Sequence, residues 1–291
     1  MASSELPIGE AASRAREDLL LMSERQNVVL QARREAVRLH AAQAALLAVI
    51  LLGWWAASGR LIDRLFVSDP VSVVLALVQI ALDGTLWWHL WQTLVEMVLG
   101  YVLGVVGGVG LAILVSVIPR GAPIARPLMM SIFAIPKVAL APLVIVWFGI
   151  YLAPKIVLAA SLVLFIVYFN TLGGFSAVSP GMLATLQVMG ASRAALFRKL
   201  VLPSAAPYIF TAMRITLPGA LIGAIIGELI SSNRGIGFLI SAASSRYDTA
   251  RVFAGILSLL IFVLCMNALV ARLERHVLRW KPRADRAAIL R

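Results

Sequence analysis

The sequence is poor in charge, in cysteine and in histidine. Asp, Glu, Lys and Arg make up 14% of its 291 residues, against 61% apolar residues. A soluble domain carries about 25% charge, so this chain is not built to face water on all sides. Cys265 is the single cysteine, which excludes an intramolecular disulfide, and its place in an apolar run reads as packing. His40, His89 and His276 lie far apart and make no metal-ligand spacing. There is no Gly-x4-Gly-Lys-Ser/Thr loop, so that route to holding nucleotide phosphates is missing. Neither a Ser-His-Asp arrangement nor a carboxylate pair stands out. The alternating segments of roughly ten residues that build an outer-membrane barrel are absent as well.

What is present is a series of long apolar runs. A helix needs about 20 apolar residues to cross a bilayer. Runs near 41–58, 91–118, 127–148, 156–174, 208–230 and 252–273 meet or approach that length, which predicts an all-α polytopic protein with about six transmembrane helices. The run VSVVLALVQIAL after Ser68-Asp69-Pro70 is short for a span and reads as a helix on or dipping into the membrane surface. Trp87, Trp88 and Trp91 sit where an interfacial aromatic belt belongs.

The net charge of +12 resembles that of a nucleic-acid binder, but the basic residues cluster at the ends of the apolar runs. That distribution belongs to cytoplasmic connections, and no nucleic-acid partner is expected. With both termini cytoplasmic, the arginines of the first forty residues fall inside. So do Arg120, Arg126, Arg193, Arg198, Lys199 and the basic C-terminus. Only Arg60, Arg64, Lys155, Arg234, Arg246 and Arg251 fall outside. Residues 1–40 mix Arg with Glu and Asp and lack the apolar core of a signal peptide, so they read as a cytoplasmic or interfacial helix. The expected layout is that helix, a transmembrane domain over 41–280, and a basic tail over 281–291.

Four charges fall within apolar runs: Glu96, Lys137, Arg214 and Glu228. A charge at the bilayer centre costs about 2.5–3.5 kcal/mol on insertion scales, so each needs a partner or water. They are candidates for a solute pathway, with structural ion pairs such as Glu96 with Lys137 as the alternative. Pro136 and Pro142 remove backbone hydrogen bonds from the third run and bend it beside Lys137. Gly100, Gly104 and Gly108 recur every four residues and let another helix approach closely.

Between the fourth and fifth runs lies QVMGASRAALFRKLVLP. Gly190 ends a helix in the left-handed conformation at low cost. Ser192 suits the N-cap of the next helix, and Pro203 is expected to stop it. Leu196, Phe197, Leu200 and Val201 share one arc of that short helix, with Arg198 and Lys199 outside it. The pattern fits docking on a partner equally with resting on the protein's own membrane domain.

Gly190, nine residues, then Leu200-Val201-Leu202-Pro203 resembles the signature loop of the membrane subunits of bacterial ABC importers. That loop reads E-A-A, three residues, Gly, nine residues, Ile-x-Leu-Pro. Ala184-Thr185-Leu186 departs from its first part. IPKVALAPLVIVWFG, YFNTLGGFSAV, LPSAAPYIFTAMRITLPGALIGAIIGELI and RGIGFLI resemble the nitrate/taurine/alkanesulfonate branch, over about residues 68–280. The position of Glu96 is another departure, because a basic residue is common there.

The resemblance implies a type I importer permease fold in the bacterial inner membrane. It also implies a coupling loop over about 180–205, with Gly190, Ala191, Ser192, Arg193, Ala195, Leu196, Leu200, Leu202 and Pro203 meeting a separate ABC ATPase. That ATPase would carry ATP and Mg, leaving this chain with no cofactor and no catalytic site of its own. A second, identical permease subunit and a periplasmic substrate-binding protein complete the implied assembly. The implied cargo is a small solute, often an anion of the sulfonate, nitrate or aromatic carboxylate type, with neutral pyrimidine precursors carried by some members of the family. The alternative from the pattern alone is a stand-alone secondary transporter or channel.

Overall fold

The structure is a computed structural model that describes residues 8–277, so the basic tail expected over 281–291 lies outside the described residues. The chain divides into two compact units, residues 1–64 and 65–291, each described by itself.

The first unit is dominated by one helix, α1 (Ile8–Ala57), of 50 residues. After Gly9 no proline or glycine interrupts it before Gly53, so the expected N-terminal helix and the first span are continuous. Its portion Arg34–Ala57 is long and apolar enough to cross a membrane.

A single helical turn, α2 (Arg64–Val67), precedes the helices of the second unit. Helix α3 (Pro70–Leu82) starts where Asp69 accepts the Ser72 amide at 3.0 Å and the Ser72 hydroxyl at 2.7 Å, with Pro70 in the first turn. Helix α4 (Thr85–Val117) follows, then α5 (Gly121–Ala134), a 3-10 turn (Lys137–Leu140) and α6 (Ala141–Phe148). The third span was expected as one bent helix over 127–148. It starts earlier and is broken, with 72° between its halves. Pro136 stands at the break, whereas Pro142 lies in the first turn of α6, where its missing N–H costs nothing.

Helix α7 (Leu152–Ser176) is the centre of the bundle, packed between α4 and α10 (Leu202–Ser231). Glycines set both approaches. A β-carbon at Gly100 would lie 2.5 Å from the Ala159 Cβ, and one at Gly223 would lie 2.5 Å from the Ala159 Cα. Gly104 and Gly108 continue the first seam against Val163 and Val167. The helix that the glycine repeat admits is therefore α7 of the same chain. Gly174 against Ala205 and Gly227 against Lys155 make the second seam, so α7 and α10 run antiparallel.

The remaining elements are α8 (Pro180–Val188), α9 (Arg193–Leu196), α11 (Ile236–Ser244) and α12 (Thr249–Val277). An ion pair between Arg214 and Glu274 sets the C-terminal half of α12 beside the first half of α10. The α8–α9 turn and the end of α12 thus share one end of the bundle. The starts of α4, α7 and α12 share the other end with α11. Five described helices are long and apolar enough to cross a membrane, or six when the broken pair counts as one.

Candidate functional site

At one end, the chain reverses through a turn that the sequence specifies closely. The Gly190 amide donates to Gln187 O at 2.9 Å, and the Ala191 amide donates to Leu186 O at 3.0 Å. With Gly190 at φ +81°, this is a Schellman motif ending α8. Ser192 then caps α9, its hydroxyl accepting the Ala195 amide at 3.2 Å.

The expected stop at Pro203 does not occur. A π turn over Phe197–Val201 carries α9 into α10, and the helix runs unbroken from Arg193 to Ser231. In the wider turn the Leu202 amide reaches back to Phe197 O. Pro203 follows directly on this π turn, which accommodates its missing N–H inside the continuous helix.

The apolar arc of this segment turns inward. Leu196 and Leu200 are buried, and Phe197 packs edge-on against Phe175 of α7 with 5.6 Å between ring centres. These residues therefore seat the turn on its own bundle. Leu202, Ala191 and Ala195 are half-buried, while Gly190, Ser192, Arg193 and Pro203 are exposed. Val188 is 89% exposed and Met189 76% exposed, flanked by exposed Arg193, Arg198 and Lys199. A bare apolar tip, followed along the chain by exposed cations, is the surface that this turn offers.

The charges within the spans separate into different roles. The Lys137 ammonium donates to Ile132 O, Phe133 O and Ile135 O at 3.0, 2.7 and 2.9 Å, closing the carbonyl end of α5. It also lies 4.9 Å from the Phe165 ring centre. Pro136 and Pro142 beside it are exposed. Arg214 pairs with Glu274 at 3.1 Å on the bundle surface.

Glu96 and Glu228 are buried together at the other end. Lys155 donates to Glu96 Oε1 at 3.0 Å and to the Ser232 hydroxyl at 2.8 Å. The ion pair imagined between Glu96 and Lys137 is thus made with Lys155 instead. Lys155 was expected in a connection, yet it is 4% exposed on the first turn of α7. Gln92 adds a second bond to Glu96 Oε1 at 2.8 Å, and Glu96 Oε2 is buried without a partner among the described residues.

Glu228 serves the start of α11. Gly237 N donates to Glu228 Oε2 at 2.6 Å, Ile236 N to the Thr93 hydroxyl at 2.9 Å, and Gly235 N to His89 Nδ1 at 3.0 Å. Three successive amides that a helix start leaves open are thus satisfied from α4 and α10. Gly235 must be glycine here: it has φ +101°, and a β-carbon would fall 2.1 Å from the Glu228 carboxyl. Sequence reasoning missed Thr93, His89, Lys155 and Ser232. The available signal was the run of polar residues Gln92, Thr93 and Glu96 on one side of an otherwise apolar helix.

A bundle of spans, a broken third span, and an exposed helix–turn–helix at one end define a polytopic membrane transport subunit. Residues 100–279 match the family described as the binding-protein-dependent transport system inner membrane component, and the chain belongs to that family. It is 32% identical over 240 residues to the taurine transport system permease protein TauC of Escherichia coli (strain K12), covering 80% of this chain and 87% of that one. It is 30% identical over 238 residues to a putative aliphatic sulfonates transport permease protein, SsuC, of Bacillus subtilis (strain 168), covering 81% and 86%. The formylaminopyrimidine transport permease protein ThiX of Halalkalibacterium halodurans is 29% identical over 80% of this chain and 93% of its own. The fold resembles that of the MetNI methionine ABC transporter in inward-facing form. The TM-score is 0.56 with 22% identity, covering 64% of this chain and 93% of that one. The chain is an integral-membrane ABC importer permease, as the expected fold class and function had it.

Proposed function

We propose that this permease works as a pair of identical subunits in the bacterial inner membrane, with both termini cytoplasmic. The coupling segment, about 180–205, docks on a separate ATPase that carries ATP and Mg. The observation that supports this most is the rigid turn at Gly190. It holds Val188 and Met189 out in solvent near Arg193 in the chain, while Leu196 and Leu200 are buried and Phe197 packs on Phe175 of α7. A short apolar projection on a rigid element suits a groove in a partner. Movement there passes directly into α10 through the unbroken helix Arg193–Ser231.

Catalysis belongs to the ATPase, and this chain supplies the route. A periplasmic binding protein delivers the cargo at the α11 end. By likeness to the sulfonate and taurine permeases, the cargo is a small anion. The pathway forms where the broken third span, with Pro136, Lys137 and Pro142, faces the second subunit. Arg214 lies near the inner mouth. Glu96 and Glu228 hold α4, α7, α10 and α11 together and do not line the route.

The test is a disulfide crosslink. Met189→Cys in a Cys265→Ala background is expressed with the ATPase and trapped against cysteines around the ATPase surface, with and without ATP. Crosslinking that changes with ATP supports the reading. A chain that is stable in the membrane and never crosslinks overturns it in favour of a solitary transporter.

A further inference from the structure

A cavity of 220 Å³ lies at the α11 end, between the start of α4, α11 and the turn into α12. His89, Phe238, Leu239, Arg246, Asp248 and Arg251 line it. It is separate from the buried Glu96–Lys155 pair and touches that network only through His89.

The charges around this cavity do not cancel by pairing. Arg251 and Asp248 satisfy each other, with the Arg251 guanidinium 3.3 Å from the carboxylate and the Arg251 amide bonded to it at 3.1 Å. Asp83 at the rim accepts the Thr85 amide at 2.9 Å. That amide, and then the Thr85 hydroxyl, hold the Asp83 carboxyl below the usual carboxylate range. Asp83 thus keeps a negative charge with no ion pair among the described residues, and Arg246 is left over as well, its guanidinium having neither an ion pair nor a hydrogen bond among them. It is carried on a tight turn. Tyr247 sits at φ +56°, and the amides of Arg246 and Asp248 both return to Ala243 O, at 3.1 and 3.0 Å. A non-glycine residue in that conformation is uncommon and is held by its surroundings.

His89 adds a neutral donor. Its Nδ1 accepts the Gly235 amide, so the neutral ring carries its proton on Nε2. That nitrogen has no partner among the described residues. The Phe238 ring lies 5.9 Å from the imidazole, and Leu239 continues the apolar wall. The volume falls below the roughly 300–1,000 Å³ of drug-sized pockets, so an occupant is small.

We propose that this cavity binds a small organic monoanion, a carboxylate or sulfonate head on a short hydrocarbon body. Arg246 and the His89 Nε2–H face the head, and Phe238 and Leu239 face the body. Binding there does not depend on the transport reading. Only its use as a stop for arriving cargo rests on that reading.

The experiment is calorimetric titration of the full-length chain, in lipid nanodiscs without ATPase or binding protein. The probes are 1-butanesulfonate and butyrate, with butylamine and butanol as controls. Both anions are expected to saturate one site per chain, while the amine and the alcohol do not. Arg246→Gln is expected to weaken anion binding at least tenfold, and Arg246→Lys to keep part of it. Neither should shift the melting temperature, because the guanidinium makes no bond within the chain. Absence of saturable anion binding, equal binding of butylamine, or undiminished binding by Arg246→Gln would each overturn the proposal. Because no ATPase is present, failure here is distinct from failure of the Met189 crosslink.

Discussion

Thr93 and Glu228 are 135 residues apart in sequence, and the threonine hydroxyl donates to the carboxylate at 2.6 Å. The same hydroxyl accepts the Ile236 amide at 2.9 Å. One side chain on α4 therefore ties the last turns of α10 to the first turn of α11. Around it, Lys155 ties α7 to α4 through Glu96. This end of the bundle is held by directional bonds in a dry setting. At the opposite end, apolar contacts lie beneath an exposed turn, with the Arg214–Glu274 ion pair joining α10 to α12.

Thr93→Val keeps the shape and removes the hydroxyl. The Ile236 amide and Glu228 Oε1 then lose a partner at positions buried from bulk solvent. An unsatisfied buried polar group costs about 1–3 kcal/mol. Thermal unfolding of the purified chain should show a clear loss for Val and near-recovery for Thr93→Ser. An unchanged midpoint for Val would mean that the hydroxyl carries no load.

Lys155→Met should be more damaging still. It leaves Glu96 buried at 0% exposure, with the Gln92 amide as its remaining donor among the described residues. Removing one member of a buried pair costs about 3–5 kcal/mol, whereas replacing both members is often neutral. The double variant Glu96→Gln with Lys155→Met is therefore expected to recover most of the stability. Equal damage in the single and double variants would show that Lys155 acts through something other than Glu96.

The glycine seam carries its own control. Gly100→Ala places a methyl 2.5 Å from the Ala159 Cβ and 2.8 Å from Ile156 O, and the backbone cannot yield. Overpacking of this kind costs about 1–3 kcal/mol. Gly110 lies on the same helix with open space at its Cβ position, so Gly110→Ala should be neutral or slightly stabilising. Melting temperatures in one detergent compare the two directly.

Periodic and local features were the legible ones. Apolar run length located the spans, because crossing a bilayer demands it. Gly190 and Ser192 located the turn, because both act through their own backbone neighbourhood. The fate of Pro203 was less readable: a π turn spreads the accommodation over Phe197–Val201, and no single residue announces it. The burial of Lys155 was hidden for a different reason. Its partners sit on α4 and beyond α10, and a lysine at the edge of an apolar run looks the same whether it meets water or Glu96. The long-range α11 cap was equally hidden, since Gly235, Ile236 and Gly237 carry no side-chain signal for receiving bonds from His89, Thr93 and Glu228.

The turn at Gly190 gives the sharpest functional prediction. Its φ of +81° suits glycine and is tolerated by asparagine, but proline is locked near −65°. Gly190→Pro would also remove the amide that donates to Gln187 O. Nothing packs against the Gly190 Cβ position, so the damage should stay local. The proline variant is expected to insert and melt nearly as the parent does. Its ATP hydrolysis in the assembled transporter should no longer respond to the loaded binding protein. Gly190→Asn should keep most of that response. Binding-protein-stimulated ATP hydrolysis in proteoliposomes separates the outcomes. Full stimulation in the proline variant would move the coupling role away from this turn.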